Sequence, residues 1–378
     1  MKIVHFCLSC FFIDGQLYQE NELVREHVRS GHDVLVVAST HVFDDLGHFA
    51  YCEPKRYIGA EGARVVRLPY RRWLPHLLAK RLRAYPDVRR ILNKFRPDVI
   101  MFHGASAWDL GTVASYVRDN PGTVFHIDSH ADEQNSGKGW LSYTLHRRFF
   151  GPILRRALRY SGPLLCVGLS VMEFAQRVYR IPPQGLEFYP LGGQILAAER
   201  RVALGRATRE RLGIPHDAIL MVQSGKQNQL KKLPQSLRAF AAVPNPQLRL
   251  VVAGILQADV RDECERLITF DSRVALIGWQ DAEELTAILS AADVYLQPGS
   301  QSATMQHALC CGCAVILDRV PAHESYIVGN GWLVSTEDEL QDCIAALPTH
   351  DISLMGNRSL ALAEKILDYA KLSSRILR

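Results

Sequence analysis

The 378-residue sequence has no apolar run near the ~20 residues that a membrane-spanning helix needs, so no segment is expected to cross a bilayer. It also has little excess charge: 44 Lys and Arg against 39 Asp and Glu leave +5. That balance is too small to argue for nucleic acid, but it favours anionic small molecules or an anionic surface. Low-complexity linkers are absent, and Gly and Pro are used without bias. The nine cysteines are odd in number and show no paired spacing, which speaks against a disulfide framework and for a reducing cytoplasm. Cys7 and Cys10 form a C-x-x-C without a second pair to complete a four-ligand zinc site, so they read as small buried residues. The opening "MKIVHFCLSCFFIDG" lacks a small-x-small cleavage site and is interrupted by His5; it reads as a strand rather than a secretion signal. After that strand comes Asp14-Gly15 where a nicotinamide-binding chain would show G-x-G-x-x-G, which weakens a dehydrogenase reading.

What is present is apolar material for two cores, 48% hydrophobic against 22% charged residues. Buried-strand patterns such as "KIVHFCL", "HDVLVVAS", "PDVIMFHG" and "GTVFHID" alternate with helical periodicity, first over Gln16 to Ser30 and again around Ala107 to Val117. The basic stretch "LLAKRLRAYPDVRRILNKF" reads as one helix with a proline bend. The alternation restarts after "AERRVALGRATRERLGIP", with "AILMVQSG", a helix over Lys232 to Val243, "LRLVVAG", "ADVYLQPG" and "CAVILDR". Continuous apolar strands separated by helices predict parallel sheets covered on both faces. The expected class is α/β, with domains at 1–190 and 191–355 and a terminal segment 356–378 free to return to the first domain. Within that segment a final helix is expected over Ser359 to Ile376. Ligands are expected at the carboxyl ends of the strands.

Two polar clusters sit at such ends. "HIDSHADEQNS" brings together His126, Asp128, His130, Asp132, Glu133, Gln134 and Asn135, and its H-x-x-x-H with carboxylates leaves a divalent metal open as an alternative. "QPGSQSATMQHALCCGCAVI" offers small polar residues before a helix, then Cys310, Cys311 and Cys313. His103 ends another strand and reads equally as a structural residue or an acceptor contact.

At "DGQLYQENELVREHVRSGHDVLVV" the chain resembles bacterial nucleotide-sugar-dependent glycosyltransferases of family 4, with the GT-B fold. The resemblance runs on through "KFRPDVIMFHG", "YPLGG", "RERLGIPHDAILMVQSG", "VALIGWQDAEELTAILSAADVYLQPG", "ALCCGCAVI" and "ESYIVGNGWLV", covering nearly the whole chain. It implies two Rossmann-like domains facing across a cleft, with the nucleotide on the carboxyl-terminal domain and the acceptor largely on the amino-terminal one. It implies no resident cofactor and no metal: a UDP- or GDP-sugar is the donor substrate.

Carried over residue by residue, the resemblance implies that Gly225 and Lys226, then Lys231 or Lys232, grip the donor diphosphate, with Lys231 preferred. Fixed ammonium groups suit a leaving diphosphate because they stabilise the charge that develops on it. The family's proline-serine…glutamate…glutamate segment falls on "QPGSQSATMQHALCCGC", but its paired glutamates are missing. Ser300, Gln301, Ser302 and Thr304 stand in the first position and His307 in the second, as a ribose partner; this implies an atypical subgroup. Glu324 corresponds loosely to the family's next loop carboxylate, and Gly15 to its glycine loop near the donor. Tyr18, Gln19 and Glu20 then open a helix that lines the cleft, while Glu22 is expected on the outer surface. The family's sugar-contacting histidine matches His126 or His130; His130 with Asp128 is preferred as catalytic, alongside Lys226. The three cysteines then read as helix-to-strand packing.

Residues 64–96 and 147–159 mix arginine and lysine with Trp73, Leu74, Leu77, Leu78, Phe149 and Phe150. Such a mixture suits an anionic bilayer surface and a lipid-linked acceptor, or equally two amphipathic helices with solvated arginines. The expected activity is transfer of a sugar to a glycan or lipid-linked glycan in assembly of cell-surface polysaccharide or lipopolysaccharide. It would be retaining and metal-independent, cytoplasmic, and peripheral to the membrane. A nucleotide-sugar 2-epimerase and a non-catalytic nucleotide-sugar-binding component are the alternatives.

Overall fold

The apolar runs become strands in two separate units, Met1–Pro190 with Tyr369–Arg378, and Leu191–Asp368. A computed structural model describes residues 1–43, 49–133, 135–137, 139–300 and 303–378. In the first unit the strands are β1 (Lys2–Cys7), β2 (Asp33–Ser39), β3 (His41–Phe43), β4 (Phe49–Tyr51), β5 (Arg56–Ile58), β6 (Arg64–Leu68), β7 (Val99–Phe102), β8 (Val124–Ser129), β9 (Leu164–Cys166) and β10 (Leu186–Phe188). Eight of them form one sheet in the order β10-β9-β8-β7-β1-β2-β6-β5, parallel except for β5, while β3 and β4 pair as a separate hairpin.

The second unit holds β11 (Ile219–Gln227), β12 (Leu248–Leu256), β13 (Val274–Leu276), β14 (Val294–Gln297), β15 (Ala314–Asp318) and β16 (Gly331–Val334). Their order is β13-β12-β11-β14-β15-β16, parallel throughout. Both sheets therefore start from a central strand, wind outward one way and then reverse, the doubly wound Rossmann-like topology expected from the sequence. The reversal falls between β1 and β7 in the first unit and between β11 and β14 in the second. At such a point the following loops diverge to opposite faces and leave a crevice beyond the strand ends, which is where ligands of these folds bind.

Several local expectations shift. The first helix runs over Gln19–Arg29 rather than from Gln16, and Gly31, at φ +78°, turns the chain into β2. The stretch before β7 is two helices, His76–Leu82 and Val88–Phe95, not one bent helix. Arg83 and Asp87 between them take left-handed backbone angles, and Pro86 disfavours a helical residue before it. The carboxyl end likewise divides, into Ile352–Ile366 and Tyr369–Arg375. The latter, with the residue that follows it, buries Tyr369, Leu372 and Ile376 against Leu23, Met101, Leu165 and Tyr189. At about 1.5–3 kcal/mol per large apolar side chain, that burial offsets much of the cost of ordering so short a helix. The Tyr189 hydroxyl adds a hydrogen bond to the Leu372 carbonyl at 2.8 Å.

Candidate functional site

In the second unit, Ser224, Gly225 and Lys226 lie near the end of β11, at the sheet's reversal. Gly225 has φ +114°, and a Cβ on its neighbour Gly254 would lie 1.8 Å from the Gly225 oxygen, so both positions require glycine. The Lys226 side chain is exposed and has no hydrogen-bonded or ion-paired partner among the described residues. One tight turn follows, Gln229–Lys231, capped by Asn228, whose side chain accepts from the Leu230 amide. The loop after β14 packs directly on that turn. Ser300 donates its amide to the Leu230 oxygen at 2.8 Å, and a Cβ on Gly299 would stand 2.2 Å from the same atom. Lys231 donates from Nζ to the Ser300 carbonyl at 2.9 Å. Burial lowers its pKa to about 8. Lys232, left-handed at φ 53°, turns away and pairs with Asp318 at 3.1 Å.

Gln301 and Ser302 lie outside the described residues. Thr304 and His307 stand one turn apart on the helix Ala303–Cys310, and burial lowers the His307 pKa to about 4, so its ring is neutral near pH 7. Glu324 is exposed at the end of the short helix Pro321–Glu324. Its neighbour His323 is fully buried and was not singled out in the sequence. Its Nδ1 donates to the Asp318 carbonyl at 2.9 Å, leaving Nε2 as a buried acceptor without a partner among the described residues. Gln223, also missed, is buried in β11 and donates to the Lys231 carbonyl at 3.0 Å. A glutamine inside "AILMVQSG" was the available signal, since a buried polar side chain needs a partner.

The three cysteines are packing residues. Cys313 points its thiol at the Leu289 and Ala292 carbonyls and Cys311 at Ser290 and Thr286, while Cys310 lies against Gly193. Burial raises all three thiols, which disfavours thiolate. Among the described residues, no group of three or more His, Cys, Asp or Glu is placed to hold a metal ion.

In the first unit, Gly15 follows β1 at φ +76°, with open space where a Cβ would stand. Its amide is already committed to Glu61 at 2.9 Å, and Asn21 donates to the same oxygen at 2.7 Å. Asp14 is held by the Tyr57 hydroxyl at 2.6 Å and by Arg67 at 3.2 Å. Glu22 is buried rather than on the outer surface, because Arg25 one turn later lies over it and forms an ion pair.

Asp128, near the end of β8, is fully buried and accepts from His103 Nδ1 at 2.7 Å and from the Gly104 amide at 2.6 Å. His130, just beyond the strand, holds Nε2 at 3.7 Å from Asp128 and 4.0 Å from Glu20. Its side chain is 32% exposed, while the Nε2 atom itself is buried and makes no hydrogen bond among the described residues. His126 instead lies inside β8 beside Gly162. Burial works against charge throughout this cluster, but the ion pairs win. His103 is raised to about 9 by the Asp128 carboxylate, His130 is raised by the same group, and Asp128 is held well below its usual range by His103 and His130. The cluster therefore presents one partly exposed imidazole braced by an ionised carboxylate, suited to hydrogen-bonding a hydroxyl-rich ligand.

The two basic stretches meet on this unit's surface. Trp108 packs against Trp73 and Phe149, with ring centroids 6.4 and 5.7 Å apart. Trp73 and Leu77 are 66% and 77% exposed, with Arg72, Lys80, Arg81 and Arg148 also exposed. Arg71, Arg83 and Arg155 are instead used internally, on Asp109, on Ser9 and Ser106, and on the Tyr179 carbonyl.

Residues 18–192 match the glycosyl transferase 4-like domain, and residues 217–350 match the glycosyl transferases group 1. Among solved structures, HepE of Anabaena in complex with UDP is 16% identical at a TM-score of 0.68, with 100% of this chain and 98% of that one covered. Sucrose-phosphate synthase of Thermosynechococcus elongatus is 16% identical at 0.67, covering 99% and 97%. WaaG, a glycosyltransferase involved in lipopolysaccharide biosynthesis, is 18% identical at 0.63, covering 99% and 98%. At these identities the likeness is one of fold. A search of curated proteins finds no match.

Proposed function

We propose that this chain, whose residues 18–192 and 217–350 match a glycosyl transferase 4-like domain and the glycosyl transferases group 1, is a GT-B glycosyltransferase that moves a sugar from a nucleotide-sugar donor to a glycan or lipid-linked glycan acceptor. The observation that carries this reading is the lysine-bearing turn of the second unit. Gly225, Lys226, Lys231 and Ser300 gather at its topological reversal, where a diphosphate meets fixed positive charge and closely approachable backbone. Residues 191–355 would hold the nucleotide-sugar, with Thr304 and His307 toward the nucleotide, and Glu324 at the neighbouring loop. The missing glutamate pair makes His307 the ribose partner, a neutral ring that offers one donor and one acceptor.

Residues 1–190 would bind the acceptor, with Gly15 in the loop after β1 and His130, braced by Asp128, contacting the transferred sugar. In the proposed chemistry the acceptor oxygen bonds to the anomeric carbon as the carbon–phosphate-oxygen bond breaks, and the leaving diphosphate takes the acceptor proton. Configuration is retained, and no protein carboxylate acts as a covalent nucleophile. Lysine charge serves the leaving group in place of a metal. HepE is described in complex with UDP and WaaG as acting in lipopolysaccharide biosynthesis, which supports a uridine donor and a cell-surface product. The exposed Trp73 and Leu77 amid arginines and lysine support an acceptor reached at an anionic membrane surface.

Incubating the protein with radiolabelled UDP- and GDP-sugars and membrane extract tests the proposal. Label entering the lipid fraction supports transfer. Interconversion of nucleotide-sugar isomers without acceptor would instead establish an epimerase, and binding without turnover a non-catalytic component.

A further inference from the structure

Behind His103 lies a hydrogen-bonded row that the transfer chemistry does not use. His103 Nε2 lies 2.9 Å from His5 Nδ1, and His5 Nε2 lies 2.9 Å from His27 Nδ1. His27 Nε2 lies 3.1 Å from the main-chain oxygen of Ser373, on the terminal helix. All three rings are buried. The row thus begins on a carboxylate and ends on a carbonyl, and both ends only accept hydrogen bonds. Counting protons gives the consequence. Four contacts need four hydrogens, while three neutral imidazoles carry three.

The geometry points to one excess proton stored in this row and seated on His103, with the Ser373 carbonyl setting the polarity of every bond between. His27 must donate from Nε2 to Ser373, so its Nδ1 accepts from His5 Nε2–H. His5 Nδ1 in turn accepts from His103 Nε2–H. His103 still faces Asp128 with Nδ1, and satisfies it only by carrying a second N–H. The resulting imidazolium lies against the one carboxylate that can neutralise it. The titratable groups facing the row agree with that placement. Asp128, Cys7 and Glu20 favour charge on His103, while His32 opposes charge on His27. His5 and His27 are both shifted down, by burial first and then by neighbouring histidines.

The docked terminal helix is therefore a positioning element. It fixes three tautomers in series, keeps Asp128 ionised, and through Asp128 orients His130. That last step rests on the transfer reading above; the proton count does not.

The test is two-bond proton–nitrogen correlation NMR on the full-length protein labelled with 15N-histidine, near pH 7. His103 is expected with both ring nitrogens protonated, and His5 and His27 as neutral rings protonated at Nε2. A singly protonated His103, or an imidazolium elsewhere in the row, overturns the inference. His27→Leu removes the link to Ser373, so His103 is expected to become neutral and His5 to move its proton from Nε2 to Nδ1. His27→Gln, which can donate and accept at comparable reach, is expected to restore the native pattern. If His103 stays doubly protonated in the leucine variant, Asp128 alone holds the proton and the inference fails. Should that variant not fold, His27→Phe, a ring of similar size without nitrogens, takes its place with the same expected and overturning spectra. The spectra are independent of turnover, so loss of this inference and loss of the transferase reading are separable.

Discussion

Lys231 and Ser300 are joined across 2.9 Å, ammonium to main-chain oxygen, although 69 residues separate them. The contact fixes one lysine of a consecutive pair beside the loop after β14, while Lys232 points to Asp318. Lys231→Ala is expected to weaken UDP or GDP binding by about 10- to 100-fold, since a hydrogen bond to a charged group contributes ~1.5–3 kcal/mol. Lys232→Ala removes a partly exposed pair worth at most about 1 kcal/mol and should leave affinity nearly unchanged. Isothermal titration of both variants checks the asymmetry; equal losses would remove it. Because burial sets the Lys231 pKa at about 8, affinity should fall as pH rises through that value, as the charge is lost.

Lys226 poses a different case. Its side chain is exposed and makes no hydrogen bond or ion pair among the described residues, so truncating it breaks no polar contact there. Lys226→Ala should therefore leave thermal stability unchanged while lowering both nucleotide affinity and the rate of sugar transfer. Unchanged activity would eliminate its assignment to the donor diphosphate.

The sheets were legible because parallel strands buried on both faces leave unbroken apolar runs, and β1, β2, β7 and β11 all read that way. Helix ends were less so. Pro86 suggested a bend, but two helices result once Arg83 and Asp87 adopt left-handed angles. Glu22 was misplaced because a lone acid reads as solvent-facing; its burial depends on Arg25 folding over it. The histidine row was invisible for a stronger reason. His5, His27 and His103 fall on β1, the first helix and the end of β7, up to 98 residues apart, and nothing in the sequence links them. Only the strand order, with β1 between β2 and β7, brings them into line.

Trp73 and Leu77 are the most exposed apolar residues of the basic surface, on either side of the start of the helix His76–Leu82. Trp73→Glu with Leu77→Glu should reduce co-sedimentation with phosphatidylserine-containing vesicles by about 10-fold or more, through lost apolar burial and added repulsion. Nucleotide affinity should not change. Binding to neutral vesicles should be weak throughout, and binding to anionic ones should fall with salt. Equal binding of wild type and variant would rule out this surface as the docking face.

Asp128 and His103 make stability depend on pH in a direction that can be worked out. The His103 pKa is raised to about 9 in the folded protein against ~6.5 when unfolded. The folded state therefore holds a proton that the unfolded state has released between these values. Its contribution is fully present below about 6.5 and is lost as pH rises through about 9. His130, shifted the same way, adds to that slope. Asp128→Asn leaves His103 without its counter-charge, so the ring neutralises and the slope should flatten. The variant should also be about 3–5 kcal/mol less stable near pH 6, the usual cost of breaking a buried pair. Urea unfolding of both proteins at pH 6 and pH 9.5 provides the comparison. The gap between them should narrow at the higher pH, where the wild type has also lost the imidazolium. A gap of constant size at both pH values would mean that His103 is neutral in the native protein and that Asp128 acts there only as a hydrogen-bond acceptor.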